Sequence, residues 1–238
     1  MSIADKLTTV AENVPKVYEA GKSAEWNAFW DAFQLNGTRT NYISAFYSAG
    51  VGSGGWNDEI FKPKYDIKLV GTCDSIFFRT DVTDFTKSGC GVEIDFSQAT
   101  NFNKCFYASS VERVGVLDLR KVSTLNDAFI YCNNLKIIEK IILKDGAGVT
   151  FSDQMFGYAN NLKEIRFEGP IRAGIRFEWQ DKLSKESITS IINALCSSAS
   201  GKTLRLKSAA VTSAFGSTTA QEWLDLVATK PNWTISLV

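Results

Sequence analysis

Three segments of this 238-residue chain repeat one another, and that repetition restricts its folding more than any other feature. Cys105-Phe106-Tyr107-Ala108-Ser109-Ser110-Val111 aligns with Ala128-Phe129-Ile130-Tyr131-Cys132-Asn133-Asn134-Leu135 and with Met155-Phe156-Gly157-Tyr158-Ala159-Asn160-Asn161-Leu162. The phenylalanines Phe106, Phe129 and Phe156 recur at intervals of 23 and then 27 residues. Each block runs into an apolar ladder: Val111, Val114 and Val116; then Leu135, Ile138, Ile141 and Leu143; then Leu162, Ile165 and Phe167. A unit this short has one apolar edge that it cannot cover alone. Stacking hides that edge and sets successive strands side by side in parallel. Phe77 or Phe78 fits a degenerate earlier unit, and Leu204-Arg205-Leu206 reads as a later strand. The expected class is α/β: a short, irregular repeat solenoid with a parallel strand ladder, an N-terminal helix and an α/β C-terminal cap.

The flanks carry helix signals. Ser2 and Asp5 are spaced as a capping box. Ile3, Leu7, Val10, Val14 and Val17 continue into Gly21, Ala24 and Ala28 at alternating steps of four and three. That spacing is a heptad seam, by which helices of separate chains pack together. Pro15 interrupts it, and Asn13 offers a cap for a second helix, which leaves two shorter helices as the alternative. Trp26, Phe29, Trp30 and Phe33 then share one helical face, which needs either the protein's own core or a partner to cover it. After residue 183, Ile188, Ile191, Ile192 and Leu195 form a helical face behind Ser184. Residues 208–215 read as a short helix, Thr219 and Glu222 as the cap of another, and Trp233 to Leu237 as a final strand.

Composition closes off much of the chemistry. Histidine is absent, which removes imidazole bases, Ser-His-Asp and Cys-His systems and His-ligated zinc. The 26 basic and 26 acidic side chains balance, which argues against nucleic acid as a partner. The five cysteines contain no CxxC pair and read as reduced, buried apolar residues. The start of the chain lacks the apolar core of a classical secretion signal, and no apolar run is long enough for a membrane span. Gly50 to Gly55 formally matches a GxGxxG loop, but Trp56-Asn57-Asp58 and Pro63 follow it rather than a helix. Asp95 and Asp118 occupy equivalent repeat positions and superficially suggest a pair for glycoside hydrolysis. A residue that recurs with its unit more often makes a turn or caps a backbone group. No catalytic, cofactor-binding or metal-binding set emerges, and the expectation is a chain that is not an enzyme.

The phrase Ala128-Phe129-Ile130-Tyr131-Cys132-Asn133-Asn134-Leu135-Lys136-Ile137-Ile138 resembles the BspA-like leucine-rich repeat of bacterial proteins, with its form AF-x-x-C-x-x-L-x-x-I. The likeness covers residues 92–167 well, without the proline that usually follows the strand. The segment from Met1 to Lys22, with Phe29-Trp30-Asp31, is similar to the start of leucine-rich-repeat proteins from tail-gene regions of phages and prophages of gut Firmicutes. Leu226 to Ile235 is similar to their C-terminus. The resemblance implies a virion structural or host-adhesion protein, tail or baseplate associated, and it transfers no catalytic residues.

Four segments follow: 1–35, helical oligomerisation or anchoring; 36–64, a Gly- and aromatic-rich connector; 65–182, the leucine-rich-repeat solenoid; 183–238, the capping segment. The expected partner is a protein or a cell-surface glycan, with homo-oligomerisation through Ile3, Leu7, Val10, Val14, Val17 and the aromatic face Trp26, Phe29, Trp30 and Phe33. Tyr42, Tyr47 and Trp56 are candidate sugar-stacking residues, packing within the protein being the competing role. A bacterial surface adhesin is the alternative function, and a carboxylate-dependent glycan hydrolase a more distant one. The expected location is the virion, assembled in a bacterial cytoplasm, with no membrane insertion.

Overall fold

The computed structural model describes residues 42, 45–46, 56–59, 61–145, 149 and 152–238. The N-terminal seam and aromatic face, with Tyr47, lie outside the described residues. The described part is mixed α/β, with parallel strands and few helices. Strands β1 (Ile67–Thr72) and β3 (Ile94–Asn101) form one parallel pair. Strands β2 (Asp84–Phe85), β4 (Arg113–Asp118), β5 (Ile137–Ile142) and β6 (Glu164–Glu168) form a four-stranded parallel sheet in that order. Strands β7 (Ile175–Phe177), β8 (Lys202–Leu206) and β9 (Trp233–Leu237) form a third. Helix α1 (Lys87–Cys90) is one turn; α2 (Lys185–Ala194), α3 (Ser208–Phe215) and α4 (Gln221–Ala228) belong to the C-terminal part.

Stacked phenylalanines fill the interior. Phe46, Phe77, Phe106, Phe129, Phe156 and Phe177 lie ring over ring, with successive centroids 5.2, 5.1, 5.3, 5.6 and 5.1 Å apart. All six are buried. One ring per unit explains the aligned phenylalanines, and the ladder extends to Phe46 on one side and Phe177 on the other. The turns that carry the rings are hydrogen-bonded to one another. Phe77, Phe106 and Phe129 donate their N–H groups to the carbonyls of Cys105, Ala128 and Met155 in the following units, at 2.8, 2.9 and 3.0 Å.

The apolar ladder beside the first repeat departs from its expected spacing. Val116 is 48% exposed, and Leu117 is buried instead. The buried set Val111, Val114, Leu117 and Leu119 has the same steps as Leu135, Ile138, Ile141 and Leu143. Strands β4 and β5 therefore share one extra residue and pair without a shift. Strand β6 lacks that residue, so the register slips between Ile138 and Ile141. The extra residue turns Val116 outward, since alternate strand residues face opposite sides.

Helix α2 starts at Ser184, which is extended (φ −68°, ψ 160°) and accepts the Ser187 N–H. It buries Ile188, Ile191 and Ile192 and takes the place of a further strand beside β6. The Ser187 hydroxyl accepts the Ile165 N–H at 3.0 Å and the Ser190 hydroxyl accepts that of Phe167 at 2.9 Å. Two backbone donors on the outer side of β6 are thus satisfied by side chains. Helix α4 corrects the expected capping box: its N-cap is Ala220 with no side-chain bond, while the Thr219 N–H donates to Ser217 Oγ. Hydrogen bonding crosses the boundary between residues 182 and 183, because β7 pairs with β8. Residues 183–238 continue parallel pairing, and β9 is left as the outer strand among the described residues.

Candidate functional site

A second aromatic file runs outside the buried one. Phe78, Tyr107, Tyr131, Tyr158 and Trp179 follow one another with centroids 5.1, 5.6, 4.9 and 5.3 Å apart. Phe78 on Tyr107 and Tyr131 on Tyr158 are near-parallel stacks, at 5° and 14°, while Tyr107 meets Tyr131 edge to face at 79°. Tyr131 is 44% exposed and Tyr158 43%; the other three rings are half-buried.

Backbone geometry sets this stripe. The residue two after each core phenylalanine is left-handed in four successive turns: Arg79 (φ 55°), Ala108 (54°), Tyr131 (61°) and Tyr158 (61°). For residues with a Cβ this conformation costs about 1–2 kcal/mol each. Hydrogen bonds between units offset that cost: Arg79, Ala108 and Tyr131 donate N–H to the carbonyls of Tyr107, Ile130 and Gly157 at 2.9, 2.8 and 2.9 Å. Each turn thereby fixes the next, and the rings stay in file. Such strained positions concentrate where function needs a fixed side chain.

The stripe has polar flanks of mixed charge. Arg79 sits over the Phe78 ring at 5.5 Å and Lys104 over Tyr107 at 6.0 Å. On another flank Asn161 donates to the Asn133 carbonyl at 2.7 Å and accepts from Lys182 at 2.6 Å. Burial pushes the Tyr107 phenol up from its ordinary value, and the neighbouring Tyr131 and Asp127 add to the shift. The phenol therefore remains a neutral hydrogen-bond donor. Because the near-parallel rings cover one another's faces, Tyr131 and Tyr158 offer partners mainly ring edges and hydroxyls. Tyrosine surfaces with asparagine and serine around them suit protein recognition.

Tyr42 and Trp56 do not join this surface. Trp56 is 1% exposed, packs edge-on to Phe46 at 5.0 Å, and its carbonyl accepts the Asp81 N–H at 2.8 Å. Tyr42 is buried in the same core and donates its N–H to the Thr72 carbonyl at 2.8 Å. Neither presents a free ring face to a sugar, which corrects their expected stacking role. The competing reading, packing within the protein, is where these two fall. The stripe residues Tyr107, Tyr131 and Tyr158 stood within the aligned repeats. The signal that could have singled them out is an aromatic residue one or two positions after each core phenylalanine, since a ring beside an already buried ring needs a second environment.

Asp95 and Asp118 act on backbone. Asp95 accepts the Ser97 N–H at 2.7 Å, and Asp118 accepts that of Arg120 at 3.2 Å. Hydrogen bonds from the Arg120 guanidinium, at 2.9 and 2.6 Å, hold the Asp118 carboxyl below its ordinary value. A carboxyl so held is a poor proton donor.

A groove of about 1100 Å³ lies near α2, lined by Asp145, Arg172, Lys185, Cys196, Ser198 and Lys230 among others. Its cations are already engaged. Arg172 meets Asp145 and Ser198 at 3.3 and 3.2 Å, Lys185 meets Glu222 at 2.7 Å, and Lys230 donates to the carbonyls of Asn193 and Leu195 at 2.9 and 2.7 Å. Among the described residues, no group of three or more His, Cys, Asp or Glu side chains is arranged to hold a metal, and no helix is long and apolar enough to cross a membrane. No family model, no curated protein and no solved structure matches the chain.

Proposed function

We propose that this chain is a non-enzymatic binding module, a short leucine-rich-repeat solenoid of the BspA-like type, whose contact surface is the stripe Phe78, Tyr107, Tyr131, Tyr158 and Trp179. The observation that carries this reading is the outer aromatic file, held in place by left-handed backbone and by hydrogen bonds between turns. Two of its tyrosines remain open to solvent when apolar burial would favour covering them. The partner is a protein on the host cell or in the virion, because the rings offer edges and hydroxyls. A cell-surface glycan is the second reading. The likeness of the chain's ends to phage and prophage tail-region proteins supports a place in a tail or baseplate, with residues 1–35 joining copies of the chain.

Binding of labelled protein to intact Firmicute cells tests the proposal. The wild type is expected to adsorb and the Tyr131→Ala/Tyr158→Ala variant to lose at least tenfold in affinity with unchanged circular dichroism. Protease treatment of the cells should abolish adsorption. Loss after glycosidase treatment instead would favour the glycan, and undiminished adsorption of the double variant would remove the stripe as the contact surface. Absence of adsorption across such cells would sink the adhesion role.

A further inference from the structure

The edges of the parallel sheets are not treated alike. On β6, the serine hydroxyls of α2 accept the N–H groups of Ile165 and Phe167. On β7, the Arg176 N–H donates to the Asp153 carbonyl at 2.8 Å. Among the described residues, strand β9 has no such cover. Val238 donates its N–H to the Leu206 carbonyl at 3.0 Å and accepts that of Ser208 at 2.8 Å. This fixes the parity of the strand: Thr234, Ser236 and Val238 turn their backbone groups toward β8, while those of Ile235 and Leu237 point away. Among the described residues nothing pairs with that outward side. Strand β9 is also plain. It contains no charge, proline or glycine, and it pairs with β8 over its whole length without a register shift. Proteins ordinarily blunt an open edge with charge, proline or a bulge, and this edge has none of the three.

We propose that β9 pairs antiparallel with β9 of a second copy of this chain, about a two-fold axis through Ile235. The register follows from the residues. Ile235 of each copy has both backbone groups outward, so the two exchange a pair of hydrogen bonds across the axis. Leu237 then lies opposite Trp233 of the second copy, and Thr234 opposite Ser236. Trp233, Ile235 and Leu237 share the face of Leu204 and Leu206, so apolar residues meet apolar ones and hydroxyls meet hydroxyls. No charge on either strand repels its copy. Other registers place an inward-bonded residue on the axis or shorten the pairing. The two-fold uses the open edge of both chains at once and closes, whereas head-to-tail stacking would continue indefinitely. Five residues per strand make a small interface, so the dimer depends on concentration.

Two variants of the full chain test this by sedimentation velocity over a concentration series. Ile235→Pro removes an outward N–H and leaves the ladder to β8 intact, as proline is tolerated on an edge. The wild-type mass should rise with concentration, and I235P should fall twofold below it at the upper end, with a retained circular dichroism spectrum. Association through residues 1–35 persists in I235P, so the twofold drop is the reading that matters. In Thr234→Cys/Ser236→Cys the new thiols lie across the axis as a non-hydrogen-bonded pair with Cα atoms about 4.5 Å apart, within reach of a disulfide. Mild oxidation should link the double variant into dimers and either single variant far less. Equal mass profiles for wild type and I235P, or equal cross-linking of the single and double variants, overturns the proposal.

Discussion

At the scale of single residues, left-handed backbone and thiol environment make the sharpest demands. Gly169 has φ 85°, and a Cβ placed there would lie 2.3 Å from the Leu143 carbonyl oxygen. Gly169→Ala should therefore cost about 1–3 kcal/mol in a urea titration, since strain and a backbone clash add. Ala108 holds φ 54° with a Cβ present, so Ala108→Gly should be stabilising by about 0.5–1 kcal/mol despite glycine's greater unfolded-state freedom. The five cysteines are all free and buried, yet they differ. Burial pushes Cys73 and Cys132 up to about 12 and raises Cys90 and Cys105 as well. Cys196 alone is lowered, chiefly by its hydrogen bond with Ser198, with the Arg172 charge contributing beside the groove. In the native protein one thiol should react quickly with an aromatic disulfide reagent, forming a mixed disulfide and releasing the reagent's thiolate, and Cys196→Ser should abolish that phase, while denaturant exposes all five. For Cys73 and Cys132 the folded value lies above the unfolded one. Their contribution to stability is complete below the ordinary thiol value and is lost as pH rises toward about 12.

At the scale of elements, the junction of β6 and α2 shows how helix side chains end a parallel sheet in place of a further strand. Ser187 is buried; its hydroxyl lies 3.0 Å from the Ile165 N–H and 3.1 Å from the Lys163 carbonyl. Ser187→Ala strands a buried N–H and should cost about 1–3 kcal/mol in chemical denaturation. Ser190→Ala should cost less, because its bond to Phe167 is only partly buried. The Ser184 cap and the apolar face of α2 were legible because both are local, a hydroxyl followed by helical spacing. The role of Ser187 was not, because its partner lies 22 residues away. Val116 misled for a related reason. Val111-x-x-Val114-x-Val116 is a valid apolar pattern by itself, and only pairing with β5 reveals that Leu117 belongs inside. Thr219 and Glu222 likewise have capping spacing, but Ser217 claims the Thr219 N–H and the helix begins beyond it. The tyrosine stripe was visible as letters and hidden as a surface, since left-handed turns are not legible from tyrosine, which rarely adopts them.

Across the whole molecule the repeat means that one ring per unit holds neighbours on both sides. Phe129 lies between Phe106 and Phe156, whereas Phe177 stacks on Phe156 alone among these rings. Phe129→Ala should cost about 3–5 kcal/mol, and Phe177→Ala less, when both are followed by thermal melting. The parallel strands were legible from the repeat because each unit has to hide the same edge. The division into three sheets was not, because it rests on where pairing stops, and beyond β6 it stops at α2 through contacts that no single unit contains. That stop gives the molecule a firebreak. Serine hydroxyls, not a strand, meet the edge of β6, so backbone pairing does not carry opening from β7, β8 and β9 into that sheet, and the ring contacts Phe156–Phe177 and Tyr158–Trp179 are among those that join the two sides. Amide exchange should show two protection plateaus divided at the seam, with the C-terminal sheet exchanging first. Tyr107, Tyr131 and Tyr158 lie upstream of that seam and should keep their stacking while Trp179, two residues after β7, loosens first.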